Sequence, residues 1–168
     1  MRKPGVSFKK TAGKYVTFQL FEEEYGLKIL KVKEEIYGNV EIHRLSFAPD
    51  YVKGYIRLNG KKTLLIDLRL HLNLPETTYT HTTGIIVVKI STGNKKLRIG
   101  CIVDSILEVI SVFEGNSEEI PESCAGINPE FIIGKTKSNG KVITLLDIDK
   151  ILSSREIIKI AEDVFKKI

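Results

Sequence analysis

Tryptophan is absent from the 168 residues, and the chain contains one methionine, two cysteines and three histidines. Cys101 and Cys124 are too far apart for a CxxC metal or redox pair, and each lies in or beside apolar sequence. We therefore expect two free, buried thiols. No stretch approaches the roughly 18 apolar residues of a membrane-spanning helix, and the N-terminus has no apolar signal-peptide core. The sequence accordingly predicts a cytoplasmic protein.

The sequence also lacks the usual signatures of an enzyme, a metal site or a cofactor site. It has no glycine-rich phosphate loop, no HExxH, no GxSxG and no cysteine–histidine metal spacing. His43, His71 and His81 lie far apart, and none is next to an aspartate or serine. That spacing alone carries little weight, because catalytic triads assemble in space rather than in sequence. Taken together, these absences predict no catalytic residue, no metal and no cofactor.

Acidic residues are missing from the first fourteen positions, although five basic residues lie there. These are Arg2, Lys3, Lys9, Lys10 and Lys14. Without them the chain has 21 basic and 21 acidic residues, so the net charge of +5 comes from this segment. We expect residues 1–14 to be a flexible basic leader, and the folded body to carry no charge excess that would attract nucleic acid.

What the chain does contain is an internal repeat. The segment 54–72 returns as 134–152, with seven of nineteen positions identical. The identical pairs are Gly54/Gly134, Asn59/Asn139, Gly60/Gly140, Lys61/Lys141, Leu65/Leu145, Asp67/Asp147 and Leu72/Leu152. Each copy predicts a hairpin with Asn-Gly at a turn that needs positive φ, followed by a mostly apolar strand entering aspartate. A second correspondence, offset by 74 residues, relates Gly26 to Gly100 and Ile36 to Ile110.

Short strands separated by tight turns dominate the remaining sequence. Residues 15–20 alternate polar and apolar side chains, as a half-buried strand does, and 84–90 form a continuous apolar run. Residues 40–45 have the pattern of a further strand. These features predict an all-β fold of two small barrels or sandwiches, covering about 15–74 and about 84–152.

The last segment of the chain predicts an amphipathic helix over 153–168. Ser153 and Glu156 match a capping box, and apolar residues recur after them at helical spacing. A helix with one apolar stripe needs a surface to cover, and the barrels of the fold offer one.

Asp67 and Asp147 are the only acidic pair repeated in both copies of the hairpin, and they are candidates for a two-carboxylate hydrolytic site. An aspartate at the end of a strand also commonly caps the turn or short helix that follows. We favour the capping role.

Tyr51, Lys53, Tyr55 and Arg57 recur with period two, which places aromatic and basic side chains on one strand face. Such a face is typical of single-stranded nucleic-acid binding. Tyrosine and arginine are equally enriched in protein interfaces. The nucleic-acid-binding β-barrel module is therefore kept as the alternative function.

Three stretches together carry a family likeness: YVTFQLFEEEYGLKILKVKE, APDYVKGYIRLNGKKTLLIDLRLHLNL, and IGCIVDSILEVISV followed by GKTKSNGKVITLLDIDKIL. In these stretches the chain resembles CheW, the adaptor that couples chemoreceptors to the histidine kinase CheA, over about residues 15–155. The resemblance implies two SH3-like five-stranded barrels and no catalytic activity. It also implies two partners, the regulatory domain of the kinase and the cytoplasmic tip of the receptor, at arrays beneath the inner membrane.

The resemblance further implies a receptor surface in the groove between the barrels. By position, Val32, Glu34 and Ile36 on one side and Val109 and Ile110 on the other are expected to line it. The apolar members of this set are equally well explained as core residues.

One departure from the family pattern concerns partner choice. The family usually has Asn-Leu-Arg-Gly at the first hairpin, whereas this chain has Arg57-Leu58-Asn59-Gly60. Asn59 thus stands where the family has the arginine that is important for partner binding. Because positions 57 and 59 are two apart on one strand, we expect their side chains on the same face, with the guanidinium displaced by about 6.5 to 7 Å, two strand rises. We expect a protein of this family with an altered partner preference.

Overall fold

The computed structural model describes residues 11–75, 78–92, 95–113 and 126–166, which form ten strands and three α-helices. The strands are β1 (Gly13–Leu20), β2 (Glu23–Lys28), β3 (Val32–Tyr37), β4 (Val52–Leu58), β5 (Lys61–Asp67), β6 (Gly84–Thr92), β7 (Lys95–Val103), β8 (Ser105–Val112), β9 (Ile132–Ser138) and β10 (Lys141–Leu146). The helices are α1 (Leu68–His71), α2 (Ile148–Leu152) and α3 (Arg155–Lys166). The predicted β class is confirmed.

The strands form two five-stranded sheets, and each sheet mixes strands from both halves of the chain. Sheet A has the order β8-β1-β2-β10-β9, and sheet B has the order β3-β6-β7-β5-β4. If β1–β5 are treated as one copy of the fold and β6–β10 as the other, and are matched in order, the two sheets have the same strand order. Each sheet takes the first two strands of one copy and the last three strands of the other copy. The boundaries expected from sequence, about 15–74 and about 84–152, therefore do not separate the sheets. The exchange arises because β10 pairs in parallel with β2, and β5 with β7.

The strand register confirms the internal repeat at the level of single residues. Gly26 of β2 lies beside Leu145 of β10, and Gly100 of β7 lies beside Leu65 of β5. A Cβ atom on Gly26 would be 3.1 Å from Leu145 Cδ2, and one on Gly100 would be 2.7 Å from Leu65 Cδ2. Both glycines leave the space into which the equivalent leucine packs, so the copies use one packing solution twice.

Each sheet curls around a small core of its own. In sheet A, Ile110 of the edge strand β8 and Ile133 of the other edge strand, β9, contact one cluster. In sheet B, Ile36 of β3 and Ile56 of β4 do the same from opposite edges. Within the described residues, neither sheet is closed by hydrogen bonds between its two edges.

The largest core lies between the sheets and includes the apolar side of α3. Ile157, Ala161 and Val164 are buried in it. The predicted C-terminal helix is present, but its cap differs by one residue from the predicted Ser153 and Glu156 pair. Ser154 Oγ accepts a hydrogen bond from Ile157 N at 3.2 Å, whereas Ser153 follows α2.

Two other local predictions are corrected by the structure. Thr11 is buried and Lys14 already belongs to β1, so the end of the expected leader is ordered; residues 1–10 lie outside the described part. Residues 40–45 form no named strand. Among them His43 forms an antiparallel bridge with Tyr55, so this residue lies beside β4 rather than in a strand paired with β3.

Candidate protein-binding surfaces

The five residues expected to line a groove lie on the edge strands of two different sheets. Val32, Glu34 and Ile36 are on β3 of sheet B, and Val109 and Ile110 are on β8 of sheet A. Glu34 is exposed and Val109 is 51% exposed, whereas Ile110 is buried. Val32 and Ile36 are partly buried and pack on core clusters. Thus Glu34 and Val109 are available for contacts, and Ile110 is a core residue.

The start of β8 approaches the end of β3 at one place. Tyr37 of β3 pairs with Gly84 of β6, and a Cβ atom on Gly84 would lie 2.8 Å from Ile106 Cδ1 of β8. Glycine at position 84 thus permits close packing between the two sheets beside both edge strands. This contact places the start of β8 beside the end of β3, the two strands that carry the predicted sides of the groove.

Arg57 and Asn59 do not share a strand face. Strand β4 ends at Leu58, and Asn59 and Gly60 form the hairpin turn with φ of 50° and 79°. This confirms the predicted Asn-Gly turn. The expectation of a common face was wrong, because the left-handed backbone at Asn59 interrupts the alternation of a strand. Both side chains are exposed, and Arg57 lies opposite Lys62 on β5.

The aromatic rings of the face over residues 51–57 are engaged within the protein. The Tyr51 ring lies 4.5 Å from the His71 ring, and its hydroxyl donates to the Glu156 carboxylate. Burial, followed by the bond to Glu156 and its charge, raises the pKa of Tyr51 to about 12. Tyr55 stacks on His43 at 4.9 Å. The Tyr51 contacts join the residue before β4 to α1 and α3, and both tyrosines are partly buried, so their rings are less available for stacking nucleic-acid bases.

Asp67 and Asp147 each cap the short helix that follows their own strand. Asp67 Oδ1 accepts from Arg69 N at 3.1 Å and from Leu70 N at 3.4 Å. Asp147 Oδ1 accepts from Lys150 N at 3.2 Å. Asp67 ends β5 of sheet B and Asp147 directly follows β10 of sheet A, and each carboxylate is engaged by the helix after it, so the structure supports the capping role.

Asp67 also belongs to a buried ionic network that the sequence analysis missed. Arg69 Nη2 lies 3.5 Å from Asp67 Oδ2, and Arg69 Nη1 lies 3.0 Å from Asp104 Oδ1. Asp67 Oδ2 accepts from the Tyr79 hydroxyl at 2.9 Å, and Asp104 Oδ2 accepts from Phe21 N at 2.6 Å. The network links sheet B to the β1–β2 turn of sheet A. An arginine two residues after a capping aspartate, within the apolar run LRL, was the available signal.

His71 connects the two copies from the end of α1. Its Nε2 donates to Ile151 O at 2.8 Å, and Ile151 is the equivalent residue in the second copy. Burial lowers the pKa of His71, and this effect outweighs the Ile151 hydrogen bond and the Glu156 charge. A neutral imidazole with its proton on Nε2 fits this position.

No group of three or more histidine, cysteine or acidic residues within the described ranges is placed to hold a metal ion. Cys101 is free and buried, as predicted, and burial raises the pKa of its thiol to about 12. Cys124 lies outside the described residues. In the part of the chain that the structure describes, no helix has the length and apolar character needed to cross a membrane.

Two surface grooves lie at the hairpin ends of the sheets. The acidic groove, on sheet A, has a volume of about 780 Å³. Its charged lining residues are Glu22, Glu23, Glu24, Glu108, Lys135 and Lys141. The basic groove, between sheet B and α3, has a volume of about 410 Å³. Its cations are Lys61, Lys62, Lys89, Lys95, Lys96 and Arg98. The balanced composition of the body therefore conceals two surfaces of opposite charge.

Known proteins resemble this chain over nearly the whole of the described fold. The CheW-like domain family matches residues 14–156. The chain is 32% identical to the chemotaxis protein CheW of Klebsiella aerogenes over 142 residues, 84% of this chain and 82% of that protein. It is 32% identical to that of Treponema pallidum over 150 residues, 87% and 85% of the two chains. The crystal structure of the scaffolding protein TtCheW from Thermoanaerobacter tengcongensis superimposes with a TM-score of 0.75 at 30% identity, over 87% of this chain and 96% of that one.

Proposed function

This chain belongs to the CheW-like domain family, and from that premise we propose that it is a non-catalytic scaffold coupling chemoreceptors to the histidine kinase CheA. The observation that carries the proposal is the extent of the likeness, which spans residues 14–156 and hence both sheets rather than a single motif. The protein acts in the cytoplasm, at receptor arrays beneath the inner membrane. Its function consists of binding the receptor and the kinase, and this binding needs no cofactor.

Each sheet corresponds, in this proposal, to one SH3-like barrel. Support comes from the curling of the sheets, since edge strands such as β3 and β4 meet at one core cluster. A curled sheet with both edges near one another presents loops and edge strands at its surface, where partners dock. The barrels are built by exchange of strands, so neither half of the sequence forms one alone.

The receptor tip docks beside β3 and β8, where Glu34 and Val109 are exposed. Val32 and Ile36 support this surface from beneath, because both are half-buried. The first hairpin, with Arg57 on the strand and Asn59 in the turn, contacts the regulatory domain of the kinase. Since these two side chains do not share a face, they contact different parts of the partner.

The test combines receptor-containing membranes, the kinase and this protein. It measures which proteins sediment with the membranes and how fast the kinase autophosphorylates. We expect the protein to place kinase autophosphorylation under receptor control. Glu34→Lys reverses a charge at the expected interface, and Val109→Glu introduces one. Each should weaken receptor binding by about tenfold or more. Glu130→Lys is a matched control at an exposed position away from both edge strands. No control of the cognate kinase by the cognate receptor would refute the coupling role.

Arg57→Ala examines the departure from the family pattern. Loss of an arginine contact at an interface hot spot commonly costs about 2 kcal/mol or more, so we expect clearly weaker kinase binding. Arg155→Ala, an exposed residue of α3, serves as the control. Unchanged binding to both kinase and receptor would remove Arg57 from the proposed site.

A further inference from the structure

Lys89 lies on the central strand of a group of cations in sheet B. Its strand, β6, lies between β3 and β7. Arg98 of β7 is directly opposite Lys89, and Lys96 is opposite Ser91, two residues further along β6. Side chains in opposite positions share one face of the sheet, with Cβ atoms about 5 Å apart, and diagonal neighbours are about 7–8 Å apart. The amine of Lys89 is therefore close to two positive groups on one neighbouring strand.

The strand on the other side of β6 adds a third cation. Lys33 belongs to β3, at the point where the pairing of β3 with β6 shifts by one residue. Repulsion from Lys96 and Lys33, followed by burial and by repulsion from Arg98, lowers the pKa of the Lys89 amine. A larger share of this amine is thus neutral, and a neutral lysine amine beside other cations is an activated nucleophile.

Two other lysines of the basic groove differ from Lys89 because their ammonium groups have favourable contacts. Lys95 Nζ lies 3.0 Å from Glu162 Oε1, and Lys62 Nζ lies 4.8 Å from the centre of the Tyr55 ring. A modification that neutralised either lysine would remove such a contact. Neutralising Lys89 would instead remove the repulsion between like charges that lie directly opposite each other.

The surroundings of Lys89 are also suited to bind a small anion. The basic groove contains six cations and one carboxylate. A cleft lined by charges of one sign concentrates counter-ions, and arginine and lysine donate strong hydrogen bonds to phosphate oxygens. Arg98 and Lys96 are exposed, whereas Lys89 is partly buried beside them. A phosphate group held by Arg98 and Lys96 therefore lies within reach of the Lys89 amine.

We propose that Lys89 is an acylation site for small acyl phosphates, which the basic groove binds through Arg98 and Lys96. The lone pair of Lys89 Nζ attacks the carbonyl carbon and forms an amide bond. The bond between that carbon and the phosphate oxygen breaks, and phosphate leaves with the electron pair. The proton lost from the nitrogen passes to water, and nothing is oxidised or reduced. The product has five cations in the basic groove instead of six.

The test exposes the folded full chain briefly to acetyl phosphate and measures the initial acetylation rate of each lysine by digestion and mass spectrometry. Lys159 is the internal reference, because it is exposed on α3 and is not among the residues that line the basic groove. We expect Lys89 to react about tenfold faster than Lys159 or more, since a cleft of one charge raises the local concentration of counter-ions to that extent. In urea-unfolded chain the two rates should be similar.

Salt and a matched pair of variants identify the cause of the preference. The Debye length falls from about 10 Å at 0.1 M salt to about 3 Å at 1 M, so the rate at Lys89 should approach that at Lys159 at the higher salt concentration. Arg98→Gln should remove most of the preference at the lower salt concentration. Arg155→Gln removes the same charge from an exposed position of α3 outside the groove and should leave the preference unchanged. Circular dichroism checks that both variants are folded.

Three results would overturn the proposal. The first is equal rates at Lys89 and Lys159 in the folded chain at the lower salt concentration. The second is a preference that Arg98→Gln does not reduce, because the neighbouring cations would then not cause it. The third is a preference that persists in urea, which would assign it to the local sequence. None of these measurements involves receptor or kinase, so the proposal is independent of the coupling role.

Discussion

Sheets A and B have the same strand order but different chemistry at the positions that follow their repeated aspartates. In sheet B, Arg69 lies 1% exposed between Asp67 and Asp104. The equivalent residue beside sheet A is Asp149, which is partly exposed and pairs with Lys31 at 2.7 Å. Asp67 is part of a network between the sheets, whereas Asp147 caps α2.

This difference separates two kinds of position in a duplicated fold. Positions that set backbone geometry, such as the Asn-Gly turns and the paired Gly26 and Gly100, are kept in both copies. Positions at the junction of the copies, such as Arg69 and His71, are not duplicated, because the junction occurs once. Surface positions such as Glu22 and Lys96 have changed charge, since their side chains have no packing role to preserve.

The largest expected effect is at Arg69. Arg69→Met removes the cation beside the buried Asp67 carboxylate, and breaking a buried ion pair typically costs about 3–5 kcal/mol of stability. Asp149→Asn, at the equivalent position, disrupts a partly exposed pair and should cost about 1 kcal/mol or less. Urea unfolding followed by circular dichroism measures both. Equal losses would mean that the two positions do not differ as described.

The next effect distinguishes the two glycine–leucine contacts. A methyl group on Gly100 would lie 2.7 Å from Leu65 Cδ2, whereas one on Gly26 would lie 3.1 Å from Leu145 Cδ2. Overpacking typically costs about 1–3 kcal/mol, so we expect Gly100→Ala to be more destabilising than Gly26→Ala. The free energies of unfolding in urea give the order directly, and the reverse order would contradict the packing argument.

The hairpin turns should respond equally. Asn59 and Asn139 have φ of 50° and 52°, which is the left-handed region that asparagine tolerates better than alanine. Asn59→Ala and Asn139→Ala should each cost about 1 kcal/mol. Thermal unfolding of the two variants provides the measurement. A cost confined to one turn would show that the two hairpins are not equivalent.

The smallest expected effect is the pH dependence that His71 contributes. Because burial lowers its pKa in the folded state, the unfolded state binds the proton more readily. The contribution to stability is complete above the unfolded pKa of about 6.5 and is lost as the pH falls toward the folded pKa. His71→Gln should flatten this part of the curve of unfolding free energy against pH. A variant with an unchanged curve would exclude His71 as its source.

Local interactions explain which sequence predictions are confirmed. The Asn-Gly turns and the aspartate caps each involve residues only a few positions apart, so a short stretch contains the necessary information. The same holds for the alternation in β1. The capping box was displaced by one residue, from Ser153 to Ser154, because adjacent serines offer equivalent oxygens and only the path of the chain selects one.

The candidate surface was predicted less completely. Glu34, Arg57, Asn59 and Val109 are exposed, but Ile110 is buried, since alternation along β8 does not say which side of an edge strand is covered. Arg57 and Asn59 were expected on one face, and the turn places them apart. The basic groove was not predicted at all, because its cations come from β5, β6 and β7, and the total charge of the body conceals their clustering.

The sequence alone therefore predicted the family, the internal duplication, the hairpin turns and the helix caps, because each depends on local chemistry or on a repeated pattern. The exchange of strands between copies, the burial of Arg69 and the opposed charges of the two grooves depend on pairing between strands that are far apart in sequence, such as β2 with β10 and β5 with β7. Pairing at that distance depends on the free energy of the whole core, which no single segment contains.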